Sequence, residues 1–203
     1  MRYVNSVALV DESMCTGCHI CERVCPTLSI HVLEDLIAHV DAGTCAGCGA
    51  CVDRCPEYCM TLMDTKEIKL LKVDLKDLPQ DKIREICLKA HHHPKEVICY
   101  CTGTRAEEIA AAILRGAASP EDLSRMTGMR TGCKVECIQP ALRLLKAAGV
   151  EPKKPIGYQW YGITRTIWDL PKDMLEKSEY SKFYFDKDKE LMDRIVHMGA
   201  SQK

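Results

Sequence analysis

A duplicated cysteine run constrains this chain more than any other feature. Cys15, Cys18, Cys21 and Cys25 return as Cys45, Cys48, Cys51 and Cys55, each 30 positions further on. The repeat extends beyond the thiols: Val10-Asp11 corresponds to Val40-Asp41, and Pro26 to Pro56. Self-similarity at a fixed period means one supersecondary unit used twice. Each unit reads as a short strand, a cysteine loop, one helical turn and a return strand. Strands are expected at 7–10 and 30–33 in the first half, and at 37–40 and 60–63 in the second. Three thiols at two-residue intervals let a tight loop wrap a compact object, with backbone N–H groups turned towards it. Gly17 and Gly47, each directly before the second cysteine of its run, suit close backbone approach.

The chain holds 14 cysteines in 203 residues, so a secreted disulfide scaffold has to be weighed. Two features oppose it. Residues 1–10 are too short for an apolar signal segment and are followed at once by Asp11 and Glu12. Cysteines three apart are also too close for most of them to pair with one another. With 28 basic and 29 acidic side chains the net charge is −1, which gives no electrostatic case for nucleic acid or a membrane surface. No stretch approaches the roughly 18 apolar residues of a spanning helix. A cytoplasmic location, where thiols stay reduced, is the expectation.

Cys-x2-Cys-x2-Cys-x3-Cys-Pro is the run by which bacterial proteins hold iron–sulfur clusters. Over residues 6–64 the chain resembles a bacterial-type two-cluster ferredoxin. That resemblance implies an α+β, pseudo-twofold fold in which the fourth ligand of each cluster comes from the opposite half. One [4Fe-4S] cluster then takes Cys15, Cys18, Cys21 and Cys55, and the other takes Cys45, Cys48, Cys51 and Cys25. Zinc also accepts four cysteines, but usually as two spaced pairs. Cys59 aligns with Ser29, so it is expected to pack beside a cluster as a small residue and not to ligate. Cys87 shares an apolar helix face with Ile83 and Ile86 and reads the same way.

A second group differs in design. Cys99-x-Cys101 is followed, after 31 residues, by Cys133-x3-Cys137. Over residues 97–150 this resembles the cluster domain of bacterioferritin-associated ferredoxin, where four cysteines bind a [2Fe-2S] cluster on a helix-turn-helix scaffold. The second pair departs from that pattern, with three intervening residues where the family normally has two. A wider bite leaves the cluster type open between [2Fe-2S] and [4Fe-4S], and a structural zinc site is the plain alternative. Thr104 and Glu107 read as a capping box for a helix running through Ile109 and Ile113 towards Gly116. Ser119-Pro120 opens a second helix ending near Gly128. A third carries Leu142, Leu144 and Leu145 and closes at Gly149. Cys101 precedes the first cap and Cys137 the third helix, so both pairs are expected to end at helix starts, whose N–H groups favour an anionic cluster.

The organisation expected is a two-cluster ferredoxin domain at 1–64, a connector with one helix at 65–95, a small helical cluster domain at 96–150, and an extended C-terminal docking arm at 151–203. The connector helix is read at 81–90. His91-His92-His93-Pro94 after it reads as a solvated turn, Lys153-Lys154-Pro155 as an exposed linker, and Thr131-Gly132 as a loop element. The arm carries Tyr158, Trp160, Tyr161, Trp168, Tyr180, Phe183, Tyr184 and Phe185, eight of the 11 aromatics. Only the region around Leu191 and Ile195 has clear helical spacing. Aromatics without core periodicity are what a docking arm would present to a partner.

No nucleophile–base pair and no nicotinamide or flavin fingerprint is visible, and each cluster has four cysteines. Electron transfer is the expected chemistry, with three clusters relaying between a catalytic oxidoreductase subunit and another redox carrier. Such a composite subunit looks like those of anaerobic systems. One is the iron–sulfur subunit beside a tungsten-containing, aldehyde ferredoxin oxidoreductase-like subunit, as in class II benzoyl-coenzyme A reductase. The resemblance implies a catalytic partner that contains tungsten or flavin. A free soluble carrier and a redox-sensing regulator are the alternatives.

Overall fold

The computed structural model describes residues 1–151 and 162–199. The duplicated half begins with strand β1 (Arg2–Val10), followed by the one-turn helix α1 (Ile20–Val24) and strand β2 (Ile30–Val32). Strand β3 (Ala38–Val40), helix α2 (Ala50–Arg54) and strand β4 (Met60–Leu71) repeat the order. β1 pairs antiparallel with β4 from Val10↔Met60 to Arg2↔Leu71, and β2 pairs antiparallel with β3. The four expected strands are present, but β4 runs well past residue 63 because β1 begins at Arg2 and offers it a partner.

The backbone repeats as faithfully as the sequence. Left-handed residues recur 30 apart: Gly17 and Gly47 (φ 65° and 55°), His19 and Gly49 (62° and 74°), Leu28 and Tyr58 (49° and 55°). The halves are also laced together in matching ways, since Asp11 N–H donates to the Cys59 carbonyl and Asp41 N–H to that of Ser29, both at 2.8 Å. Glycine is required at two of these places. A Cβ on Gly17 would lie 2.5 Å from the Leu36 carbonyl oxygen, and one on Gly47 would overlap the Ser6 carbonyl. The core between the halves is Ala8, Cys21, Ile30, Ala38, Cys45, Cys51, Cys55, Cys59 and Met60. Five of these nine are cysteines, so little purely apolar burial is available to hold this part without metal.

The rest of the described chain is mainly helical. Helix α3 (Gln80–Lys89) is followed by a hairpin of β5 (Val97–Cys99) and β6 (Thr104–Arg105), then α4 (Ala106–Leu114), α5 (Pro120–Thr127) and α6 (Ile138–Ala147). α4 is the central helix, touching α3, α5 and α6. Its Ala106, Ala110, Ala111 and Ala112 are fully buried, which lets the neighbouring helices approach closely. Ile109, Leu123, Met129, Leu144 and Leu145 complete a core that also takes in Val73, Ile83, Ile86 and Cys87. The connector helix is thus an integral part of the helical core.

Two local expectations change. The first cap is one residue later than read: the Arg105 N–H donates to the Glu108 carboxylate at 2.8 Å and α4 starts at Ala106, whereas Glu107 pairs with Lys95. The hairpin strand β6 uses Thr104, which displaces the cap. His91-His92-His93 is no solvated turn either. His92 is 7% exposed with Nδ1 on Glu96, His91 stacks on Trp168 at 4.2 Å, and His93 Nε2 donates to the Met198 carbonyl. The reason is tertiary: the C-terminal segment returns over this turn. It is also not simply extended, having short helical turns at Ile167–Asp169 and Ser178–Phe183, helix α7 (Lys172–Glu176) and helix α8 (Phe185–His197). Trp168 ties it together, donating to Asp193 of α8 at 2.6 Å. Tyr158, Trp160, Tyr161 and Lys153-Lys154-Pro155 lie outside the described residues.

Candidate metal centres

Each duplicated loop opens on an aspartate. Asp11 Oδ1 accepts from the Ser13 N–H and hydroxyl, and Asp41 accepts from the Gly43 N–H and the Thr44 hydroxyl. These side-chain turns direct the chain into the three-cysteine loops. The Val-Asp match in the sequence marked the positions, but their turn-forming role was not read there.

In the first loop the Cys21 thiol is pushed up to about 11, first by burial, then by the nearby Cys18 and Cys15 thiols. In the second, Cys51 is pushed up to about 12 by burial, then by Cys48, Cys25 and Cys45. Cys25 therefore sits with the thiols of the opposite half. Geometry agrees: Cys25, Cys45, Cys48 and Cys51 line one small cavity, with Ala8, Ile30 and Leu62 as apolar walls. A thiol-lined site with apolar walls of this kind fits a sulfur-ligated cluster. At the other site Cys59 reaches both Cys55 and Cys15, which brings Cys55 to the first loop.

The fourth cysteines carry matching donor sets. The Ser29 N–H donates to Cys25 Sγ at 3.2 Å. Burial works to raise Cys55, but the Cys59 thiol and the N–H groups of Cys59, Glu57 and Met60 outweigh it and hold Cys55 below the usual thiol range. Such donors stabilise a thiolate that must carry charge on iron. Cys59 is buried, 3.4 Å from Cys55, and is itself pushed up to about 12 by burial, then by Cys55. It stands beside the site as a protonated neighbour.

The third group also converges. Cys99 ends β5, Cys101 lies in the hairpin, and Cys137 caps α6. Cys99 and Cys137 are buried at 2% and 1% exposure, whereas Cys101 and Cys133 are exposed. The Cys133 N–H donates to Cys101 Sγ at 3.3 Å. Cys137 donates to Cys99, which drops to about 5 mainly through that bond, while Cys137 is driven up. N–H groups of Val135 and Glu136 draw Cys133 down, and that of Arg130, in a left-handed turn (φ 64°), serves Cys99 and Cys137. Arg130 is anchored from behind by a mostly buried pair with Glu121 at 2.9 Å. Cys137 meets a helix start as expected, but Cys101 does not, because the hairpin separates it from α4. Among the described residues no three His, Cys, Asp or Glu side chains close on a single-ion shell.

Two known families match separate parts of the chain. Residues 8–56 match the 4Fe-4S dicluster domain, and residues 97–147 match the BFD-like [2Fe-2S] binding domain. The chain therefore contains a 4Fe-4S dicluster domain and a BFD-like domain, with cofactors of two [4Fe-4S] clusters and a third cluster. No curated relative and no solved structure matches it. Among the described residues no helix is long and apolar enough to cross a membrane.

Proposed function

We propose that this chain is the electron-transfer subunit of a larger oxidoreductase, relaying between a catalytic subunit and another redox carrier. The twelve ligands would be Cys15, Cys18, Cys21 and Cys55; Cys45, Cys48, Cys51 and Cys25; and Cys99, Cys101, Cys133 and Cys137. The observation that carries this reading is the pair of matches on one short chain, a 4Fe-4S dicluster domain at residues 8–56 and a BFD-like [2Fe-2S] binding domain at residues 97–147. When bound, the clusters supply one-electron redox chemistry, and the protein sets its level through burial and N–H donors to sulfur. Four thiolates per cluster leave outer-sphere exchange as the chemistry, so substrate is turned over elsewhere. The third cluster is read as [2Fe-2S] on the family match. Its Cys101–Cys133 edge is exposed, and Tyr100 and Val135 beside it are 84% and 65% exposed, which suits exchange with a partner.

The C-terminal segment is read as the docking element. Val196 anchors α8, while Leu191, Met192 and Ile195 on the same helix are 44–47% exposed. The catalytic partner is read as a tungsten- or flavin-containing subunit of the type in class II benzoyl-coenzyme A reductase, on resemblance of organisation alone. Anaerobic purification from the native host tests the whole reading. A brown protein with about ten irons per chain, held to a catalytic subunit, is expected. A colourless, zinc-loaded chain would sink it, and a coloured lone monomer would favour the free carrier.

A further inference from the structure

Two arginines cross the seam between the duplicated and helical parts, and both land on loops of the same site. Arg125 in α5 donates through Nε to the Thr27 carbonyl at 2.6 Å, two residues beyond Cys25. Arg2 donates to the carbonyls of Ala46 and Gly47 at 2.9 and 2.8 Å, between Cys45 and Cys48. Those loops belong to opposite halves of the repeat, yet residues of both line the chamber of Cys25, Cys45, Cys48 and Cys51. The Arg2 stem rests on the turn that follows α5, where a Cβ added to Gly128 would lie 2.5 Å from the Arg2 Cβ.

From that turn the chain enters the third site directly. Arg130 gives its N–H to Cys99 and Cys137. Burial pushes the Cys48 thiol up, and the charges of Lys134, next to Cys133, and of Arg2 act against that rise, which places both cations near this site. Tyr58, which corresponds to Leu28, is 82% exposed, whereas the Leu28 carbonyl receives Arg125.

Resting on the three-centre reading above, we propose that residues 125–134 are a bridge coupling the Cys99/Cys101/Cys133/Cys137 site to the Cys25/Cys45/Cys48/Cys51 site. The Cys15/Cys18/Cys21/Cys55 site is then the far end of the series. Lys134 is a positioning residue within this bridge. Its charge favours the reduced, more negative state of the site it faces, because reduction adds an electron to an already anionic group.

The test uses the full chain, reduced without oxygen and followed by EPR. Removing the third centre with Cys133→Ala should slow spin relaxation at the Cys25/Cys45/Cys48/Cys51 centre and leave the Cys15/Cys18/Cys21/Cys55 centre unchanged. Equal slowing at both, or slowing at the latter alone, overturns the order. Lys134→Glu keeps every ligand and guards against misfolding of the first variant. It should lower the reduction equilibrium of the Cys25/Cys45/Cys48/Cys51 centre by about tenfold, about 59 mV for one electron, with the far centre unmoved. An equal shift at the far centre, or none at either, overturns the bridge. Native protein with only two paramagnetic centres would instead remove the three-centre reading, and this order with it.

Discussion

At Gly47 the backbone comes so close to the Ser6 carbonyl that any side chain would force the loop outward, and the left-handed φ of 55° adds a second penalty. Gly47→Ala should therefore cost the adjacent site its metal. Iron per chain is expected to fall by about four, with the third centre's absorption retained. Cys59 makes the opposite case. It lies 3.4 Å from Cys55 but is protonated and buried, so Cys59→Ala should keep the full iron complement. Loss of a whole cluster from that variant would show Cys59 to be a ligand. Glu121 stands behind Arg130, and both side chains are mostly buried. Removing one member of a buried pair strands the other, so Glu121→Ala should lower stability by about 3 kcal/mol, read by thermal unfolding, and loosen the third centre first.

Among the elements, α3 illustrates how an apolar face can hide a titratable group. Cys87 is fully buried against α4, and burial pushes its thiol up to about 12 from the usual 9. Below pH 9 the thiol is protonated in both folded and unfolded chains and has no effect on the pH dependence. Between about 9 and 12 the unfolded chain loses this proton and the folded one keeps it. Stability must then fall with rising pH, by about 1.4 kcal/mol per unit from this group. Cys87→Ala should show a shallower loss of thermal stability between pH 9 and 10.5 than the native chain. Equal slopes would mean that the thiol ionises without unfolding. The cap of α5 was legible beforehand, since Ser119 accepts the Asp122 N–H at 3.0 Å and Pro120 follows. The cap of α4 was not, because its position depends on a hairpin pairing between Val97 and Arg105 that local sequence does not announce.

For the molecule as a whole, two kinds of core predict two responses to metal removal. The duplicated part is held by cysteines and short strands, whereas the helical part buries Ile109, Leu123, Met129, Leu144 and Leu145. Chelation of iron under reducing conditions should melt residues 1–71 and leave most helical circular dichroism in place. Complete loss of helix would show that the helical part also depends on its cluster. Truncation at residue 150 removes Trp168 and its contacts with His91 and Asp193. The shortened chain is expected to keep its iron but lose its catalytic partner, as measured by anaerobic co-purification.

The sequence alone determined the duplicated half, because a ligand run repeated every 30 residues leaves the backbone one way to present its thiols. It also determined the helices of the second half, through their caps and apolar spacing. Only the tertiary structure decided which loops from different halves share a chamber and how the histidine turn is covered. It alone joined the connector to the helical core. Those outcomes depend on contacts between residues far apart in the chain, such as Arg125 with Thr27 and His91 with Trp168. Spacing along a chain encodes local geometry, and it carries no record of which distant surfaces will meet.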